Sequence, residues 1–117
     1  MSNKGIVEKY MEGFNESDHA KILSLLTDDV VWFMPGFFHH KGKEAFDKEI
    51  ENDAFTGKPV IKLSRLIEEG NVVVAEGSVH ANMKNGGLLD ALFCDVFEFR
   101  GDKISRLDTY LMSKTNQ

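Results

Sequence analysis

Three groups of residues in this chain could do chemistry. The run "ALFCDVFEF", residues 91–99, sets an aspartate among phenylalanines. Read as a strand, it alternates faces, so Phe93, Asp95, Phe97 and Phe99 share one side and Leu92, Cys94, Val96 and Glu98 the other. The aromatics assign the first side to the core. A carboxyl there is desolvated, which raises its pKa; kept protonated at neutral pH, it can donate a hydrogen bond. Tyr10 lies on a helical apolar stripe with Ile6, Val7, Met11 and Phe14, and offers a second donor. His39 and His40 follow Pro35-Gly36 in a loop, and an imidazole suits proton transfer near neutral pH. Each group also has a plainer reading: a carboxylate met by backbone N–H groups, a core tyrosine with its hydroxyl at a wet edge, and two histidines facing solvent.

An apolar surround is available for such chemistry. Trp32 and Met34 share a strand face with Val30, and with Phe14, Phe46 and Phe55 they either line a pocket or fill it as core. On the last strand Leu107, Thr109 and Leu111 share one face, which puts Thr109 toward the pocket with Phe93 and Phe97. Arg106 and Asp108 then face the other way. His80 reads as structural, His19 as exposed, and Cys94 as a small buried apolar residue. There is no spaced metal-ligand set, phosphate loop, nucleophile elbow or Cys–His pairing signal, so no cofactor is expected.

These residues need elements to hold them. Helical periodicity runs from Ile6 to Phe14, with Ser2 or Asn3 as cap, and again through Ile22, Leu23, Leu25 and Leu26 after a cap at Ser17 or Asp18. "TDD" (27–29) reads as a turn, "VVWFM" (30–34) as a short strand, "FFHHKG" as a loop and "KEAFDKEIEN" as a third, polar helix with Ala45, Phe46 and Ile50 inside. Four strands follow, at about 60–68, 72–83, 88–99 and 103–112, divided by Gly70-Asn71, Asn85-Gly86-Gly87 and Gly101-Asp102 hairpin signals. The order α-α-β-α-β-β-β-β predicts helices packed on one face of a curved, mainly antiparallel sheet.

The chain has 117 residues, enough for one domain (1–117) with a real core. Its net charge of −5, without a basic run, would repel a phosphate backbone, so no nucleic acid or anionic membrane partner is expected. One cysteine, no signal-peptide pattern and no apolar run long enough to span a bilayer suggest a cytoplasmic protein.

"VEKYMEGFNESDHAKILSLLTDDVVW", Pro35-Gly36, the Gly42 entry to the third helix and "DVFEFRGDKISRLDTYL" together resemble the nuclear transport factor 2-like superfamily, which includes SnoaL-like cyclases and ketosteroid isomerase. The resemblance covers nearly the whole chain. It implies a cone-shaped, curved sheet wrapped around three N-terminal helices, a cystatin-like α+β roll enclosing a pocket. Ketosteroid isomerase pairs a first-helix tyrosine with a protonated strand aspartate; the matching positions are Tyr10 and Asp95. Its general base precedes the proline that ends the first strand, and here that position is Met34. The resemblance thus implies two oxyanion donors without that base, and leaves the proton to His39 or His40. Limonene epoxide hydrolases of the superfamily use an Asp-Arg-Asp set, but the outward direction of Arg106 and Asp108 argues against that geometry. The expected ligand is an apolar small molecule with a carbonyl or hydroxyl; the alternative is a non-catalytic carrier or a dimeric interaction module. Leu92, Cys94, Val96, Tyr110 and Met112 form an outer apolar face that predicts a two-fold homodimer, as the superfamily resemblance also implies.

Overall fold

The chain, in a computed structural model that describes residues 2–51 and 54–114, begins with α1 (Asn3–Glu16) and α2 (His19–Leu23). The Ser2 hydroxyl accepts from the Gly5 N–H and caps α1; the Asp18 carboxylate accepts from the Lys21 N–H and caps α2. Between them Ser17 turns left-handed (φ 53°) and its N–H bonds the Gly13 and Phe14 carbonyls, which ends α1. Then come β1 (Leu26–Met34), β2 (Phe38–Lys41), α3 (Lys43–Ile50), β3 (Phe55–Glu69), β4 (Val72–Met83), β5 (Leu88–Arg100) and β6 (Lys103–Ser113).

The six strands form one curved, unclosed sheet in the order β2-β1-β6-β5-β4-β3. All neighbours are antiparallel except β1 and β6, which run parallel. The helices lie on one face of this sheet. Ile6, Val7, Tyr10 and Met11 of α1, Ile22 of α2 and Phe46 of α3 meet Trp32, Val73, Phe97 and Leu107 there in a common core. The curvature has a local cause. A Cβ at Gly77 of β4 would lie 2.1 Å from the Lys62 carbonyl oxygen and 2.9 Å from the Phe93 ring, beside a register shift in β3 between Leu63 and Arg65. Only glycine lets the strands fold so tightly against each other at this bulge.

Three expectations from the sequence are corrected. Residues 38–41 are a strand rather than a loop: β2 pairs with β1 through Val31↔Lys41, Trp32↔His40 and Phe33↔His39, so an edge supplied by β1 orders a segment with little strand pattern of its own. The "TDD" segment belongs to β1, whose pairing with β6 slips between Leu26 and Val31 and leaves Asp28 and Asp29 exposed. Leu25 and Leu26 lie beyond α2, where Leu25 accepts from Ile104 N–H and Leu26 opens β1. Asn52, the last residue of the expected third helix, lies outside the described residues.

Candidate functional site

The cup between helices and sheet holds a cavity of about 300 Å³. Tyr10, Met11 and Phe14 reach it from α1, Trp32 from β1, Phe38 from β2, and Glu49 and Ile50 from α3. The long strands add Phe55, Ile61, Val79, Phe93, Asp95 and Thr109, among others. The walls are apolar and aromatic, and the carboxyls on them are those of Asp95, Glu49 and Glu51. Among the described residues no cationic side chain lines it.

Asp95 is 7% exposed. Its alternation partner across the ladder is Thr109, and both point to the helix side. Burial pushes the Asp95 carboxyl up to about 7, while a hydrogen bond from the Thr109 hydroxyl pulls the other way. That hydroxyl is aimed by its neighbour: the Trp32 indole Nε1–H donates to Thr109 Oγ1 at 3.0 Å, which occupies the oxygen as acceptor and leaves its own proton for Asp95. Among the described residues the Asp95 Oδ1 atom is buried with no hydrogen-bond partner. A carboxyl near its midpoint at neutral pH is less firmly neutral than the aromatic surround alone predicts. The Thr109 hydroxyl is the reason.

Tyr10 is 2% exposed and fully desolvated, which drives its phenol well above the usual tyrosine range, and the Asp95 charge adds to that rise. The two groups therefore sense each other. The Tyr10 ring is fixed by edge contacts to Phe97 (5.1 Å) and Phe46 (6.3 Å) and a tilted contact to Phe14 (5.0 Å).

The two histidines separate. His39 is exposed, on the face away from the helices, against Phe33. His40 shares the inner side with Phe38, stacks on that ring at 4.4 Å, and its Nε2 lies 2.9 Å from Glu49 Oε1. Neither imidazole lines the cavity; Glu49 does, and it brings His40 into contact with the wall. His19 is not free either. Its two ring nitrogens lie 2.5 Å from Asp47 and 2.5 Å from Glu51, which raise its pKa and tie α2 to α3.

Of the other residues expected at a pocket, Phe14, Trp32, Phe55, Phe93 and Thr109 line it. Phe46 and Phe97 are fully buried in the core behind it, in contact with Tyr10, and Met34 at the end of β1 is outside the lining. Phe46 projects from α3 and Phe97 from β5 into the layer between helices and sheet, where the Tyr10 ring covers both. Arg106 and Asp108 face outward and bond each other at 3.1 Å. Cys94 is a half-buried free thiol on that same outer side. Sequence reasoning missed Glu49. The signal was its position three residues after Phe46, on the inward side of α3.

The sequence pattern of the SnoaL-like domain matches residues 7–107. No functionally curated protein matches the chain by sequence. Solved structures match it along almost its whole length. A nuclear transport factor 2-like protein of unknown function from Burkholderia pseudomallei is 20% identical, with 96% of this chain and 92% of that one covered and a TM-score of 0.86. An LEH-like epoxide hydrolase of M. tuberculosis is 19% identical, with 94% and 82% covered and a TM-score of 0.82. A polyketide cyclase, so described provisionally, from Xanthomonas campestris is 25% identical, with 92% and 88% covered and a TM-score of 0.77.

Proposed function

The chain belongs to the SnoaL-like domain family, and we propose that it binds a hydrophobic small molecule through a carbonyl or hydroxyl oxygen held by Tyr10 and Asp95. One observation carries this reading: a cavity of about 300 Å³, walled by aromatic and aliphatic side chains, reaches a buried aspartate that titrates near 7. A cavity of that size suits a small ligand, and a plugged one would have favoured the dimeric interaction module instead. A protonated carboxyl and a phenol are both donors, and donors preset in a desolvated site stabilise an enolate or phenolate oxygen. The reaction this favours is proton transfer next to a carbonyl, as in isomerases and cyclases, and it needs no cofactor. The outward residues Leu92, Tyr110 and Met112, exposed by 39%, 47% and 61% in the single chain, support pairing of two copies through the outer sheet face.

The test uses 4-nitrophenol, whose oxygen imitates an enolate. Binding is read by the shift of its absorption band. A hydrogen bond to a charged group is worth about 1.5–3 kcal/mol, so Tyr10→Phe and Asp95→Leu should each weaken binding by roughly 10- to 100-fold. Equal affinity in both variants and the parent would place the phenol elsewhere and overturn the reading.

A further inference from the structure

Proton transfer next to a carbonyl needs a group that takes the proton, and Met34 cannot. We propose that Glu49 is that catalytic base and that His40 is its positioning residue; the assignment rests on the ligand reading above.

The geometry comes from three elements that meet at one wall. Glu49 sits in the last turn of α3 and lines the same cavity as Asp95, with its side chain only 18% exposed. His40, on β2, places Nε2 at 2.9 Å from Glu49 Oε1. The imidazole is itself held flat against Phe38, at 4.4 Å and 16° between planes, and Phe38 meets Trp32 edge-on at 5.0 Å. Trp32 is the common brace. Its ring orders the Phe38–His40–Glu49 wall, and its Nε1–H orders Thr109 and through it Asp95. Both acids, Asp95 and Glu49, thus line one cavity and are ordered through the same indole. A carboxylate has about four lone-pair sites, so one that accepts hydrogen bonds can still take a proton, and the His40 bond orients Glu49. The two acids differ in kind. Asp95 lies deep, where burial favours the protonated donor, whereas Glu49 stands beside an imidazole.

The step balances on these groups alone. A Glu49 oxygen takes the proton from the carbon next to the carbonyl. The C–H pair becomes the new C=C bond, the carbonyl π pair moves to oxygen, and Tyr10 and Asp95 hydrogen-bond the oxyanion. Where the substrate carries a C=C bond at the β,γ position, the oxyanion pair re-forms the C=O, the new C=C pair shifts to the α,β position, and the old C=C pair takes the Glu49 proton at the γ-carbon, which completes an isomerisation with no oxidant or second substrate.

The probe is 5-nitrobenzisoxazole, from which a base removes the ring C–H as the N–O bond breaks to give a coloured cyanophenolate. The parent protein should outpace acetate at equal concentration. Glu49→Gln should lose about 100-fold or more in kcat/KM, and Glu49→Asp should restore part of it. His40→Gln, which keeps a donor, should lose less kcat than His40→Ala with KM little changed; a merely structural histidine would not produce that split. Each variant is first shown to melt as the parent does. Turnover in Glu49→Gln within about threefold of the parent, or a parent no faster than acetate, overturns the assignment. Binding of 4-nitrophenol separates the two ideas: if it persists while Glu49→Gln stays fully active, only the base is wrong, and if it is absent while Glu49→Gln abolishes turnover, the base stands and the donor pair falls.

Discussion

Asp95 and Asp108 stand one step apart in the ladder between β5 and β6, where Asp95 faces Thr109 and Val96 faces Asp108. They share a sheet and a side chain and little else. Asp95 points to the helices, meets a hydroxyl and has its carboxyl raised to about 7 by burial. Asp108 points outward and meets the Arg106 guanidinium at 3.0 to 3.2 Å. Strand alternation alone sorts them. The lesson is that one residue of register decides whether a carboxyl is a neutral donor or a paired anion, because it decides whether water and a cation can reach it.

The largest expected effect tests the inner aspartate. Its folded pKa, about 7, exceeds an unfolded value near 4. Between the two, the folded state keeps a proton that the unfolded state has released, so stability from this group is present below pH ~4 and is lost as pH climbs through 7. A shift of this size is worth up to about 4 kcal/mol. Asp95→Asn, which stays neutral, should therefore gain on the parent protein steadily from pH 4 to 8, as read by urea melts across that range. A constant difference between the two proteins would mean that Asp95 is not desolvated, and the contrast with Asp108 would collapse.

The next effect concerns what holds Asp95 down. Thr109→Val deletes the hydroxyl that favours the charged carboxyl, so the Asp95 pKa should rise above its present value in a carboxyl NMR titration. The same change strands the Trp32 indole N–H, at a cost of about 1–3 kcal/mol. Thr109→Ser keeps the hydroxyl and should restore both readings. If the Asp95 pKa falls in Thr109→Val, the hydroxyl donates elsewhere and the indole–threonine–aspartate chain is wrong.

Alternation made this half of the molecule legible. The strands β4 to β6 follow from their turn residues, β3 does so from residue 60 although it begins at Phe55, and Phe93, Asp95 and Thr109 follow from period two. The other half resists the same treatment. Residues 38–41 become a strand because β1 offers an edge, and Thr27 to Asp29 stay in β1 because Leu26 and Val31 anchor it to β6 on either side of a slip. Neither fact is local. The Glu49–His40 pair depends on both, since β2 has to exist before His40 can face α3. Phe46 and Phe97 carry a different lesson. Periodicity puts them on the correct face, but whether a side chain lines a cavity or fills the space behind it depends on how close the layers come, and no pattern in the sequence encodes that distance.

The smallest effect tests the outer aspartate and, with it, the outer face. In the single chain the Arg106 side chain is 38% exposed and that of Asp108 18%. A pair so open to water is worth less than about 1 kcal/mol, so Asp108→Asn should barely move the melting temperature of an isolated chain. The expectation changes if two copies pack through this face. Tyr110 and Met112 follow the pair along the outer side of β6, and Val96, Cys94 and Leu92 face Asp108, Tyr110 and Met112 from β5. A second copy seated on them would take the ion pair out of water, and removing Asp108 would then leave a buried guanidinium with only the facing Glu98 charge to offset it, at a cost of up to several kcal/mol, roughly 3–5. Folding coupled to association also makes the melting temperature rise with protein concentration. Asp108→Asn and the parent should therefore be melted at two concentrations well apart. A penalty that grows with dilution, together with light scattering that finds the parent dimeric, places a partner over Arg106 and Asp108. A small penalty at both concentrations and a monomer by scattering would leave Asp108 an ordinary surface anion and the outer face uncovered, and the pairing of two copies would be excluded.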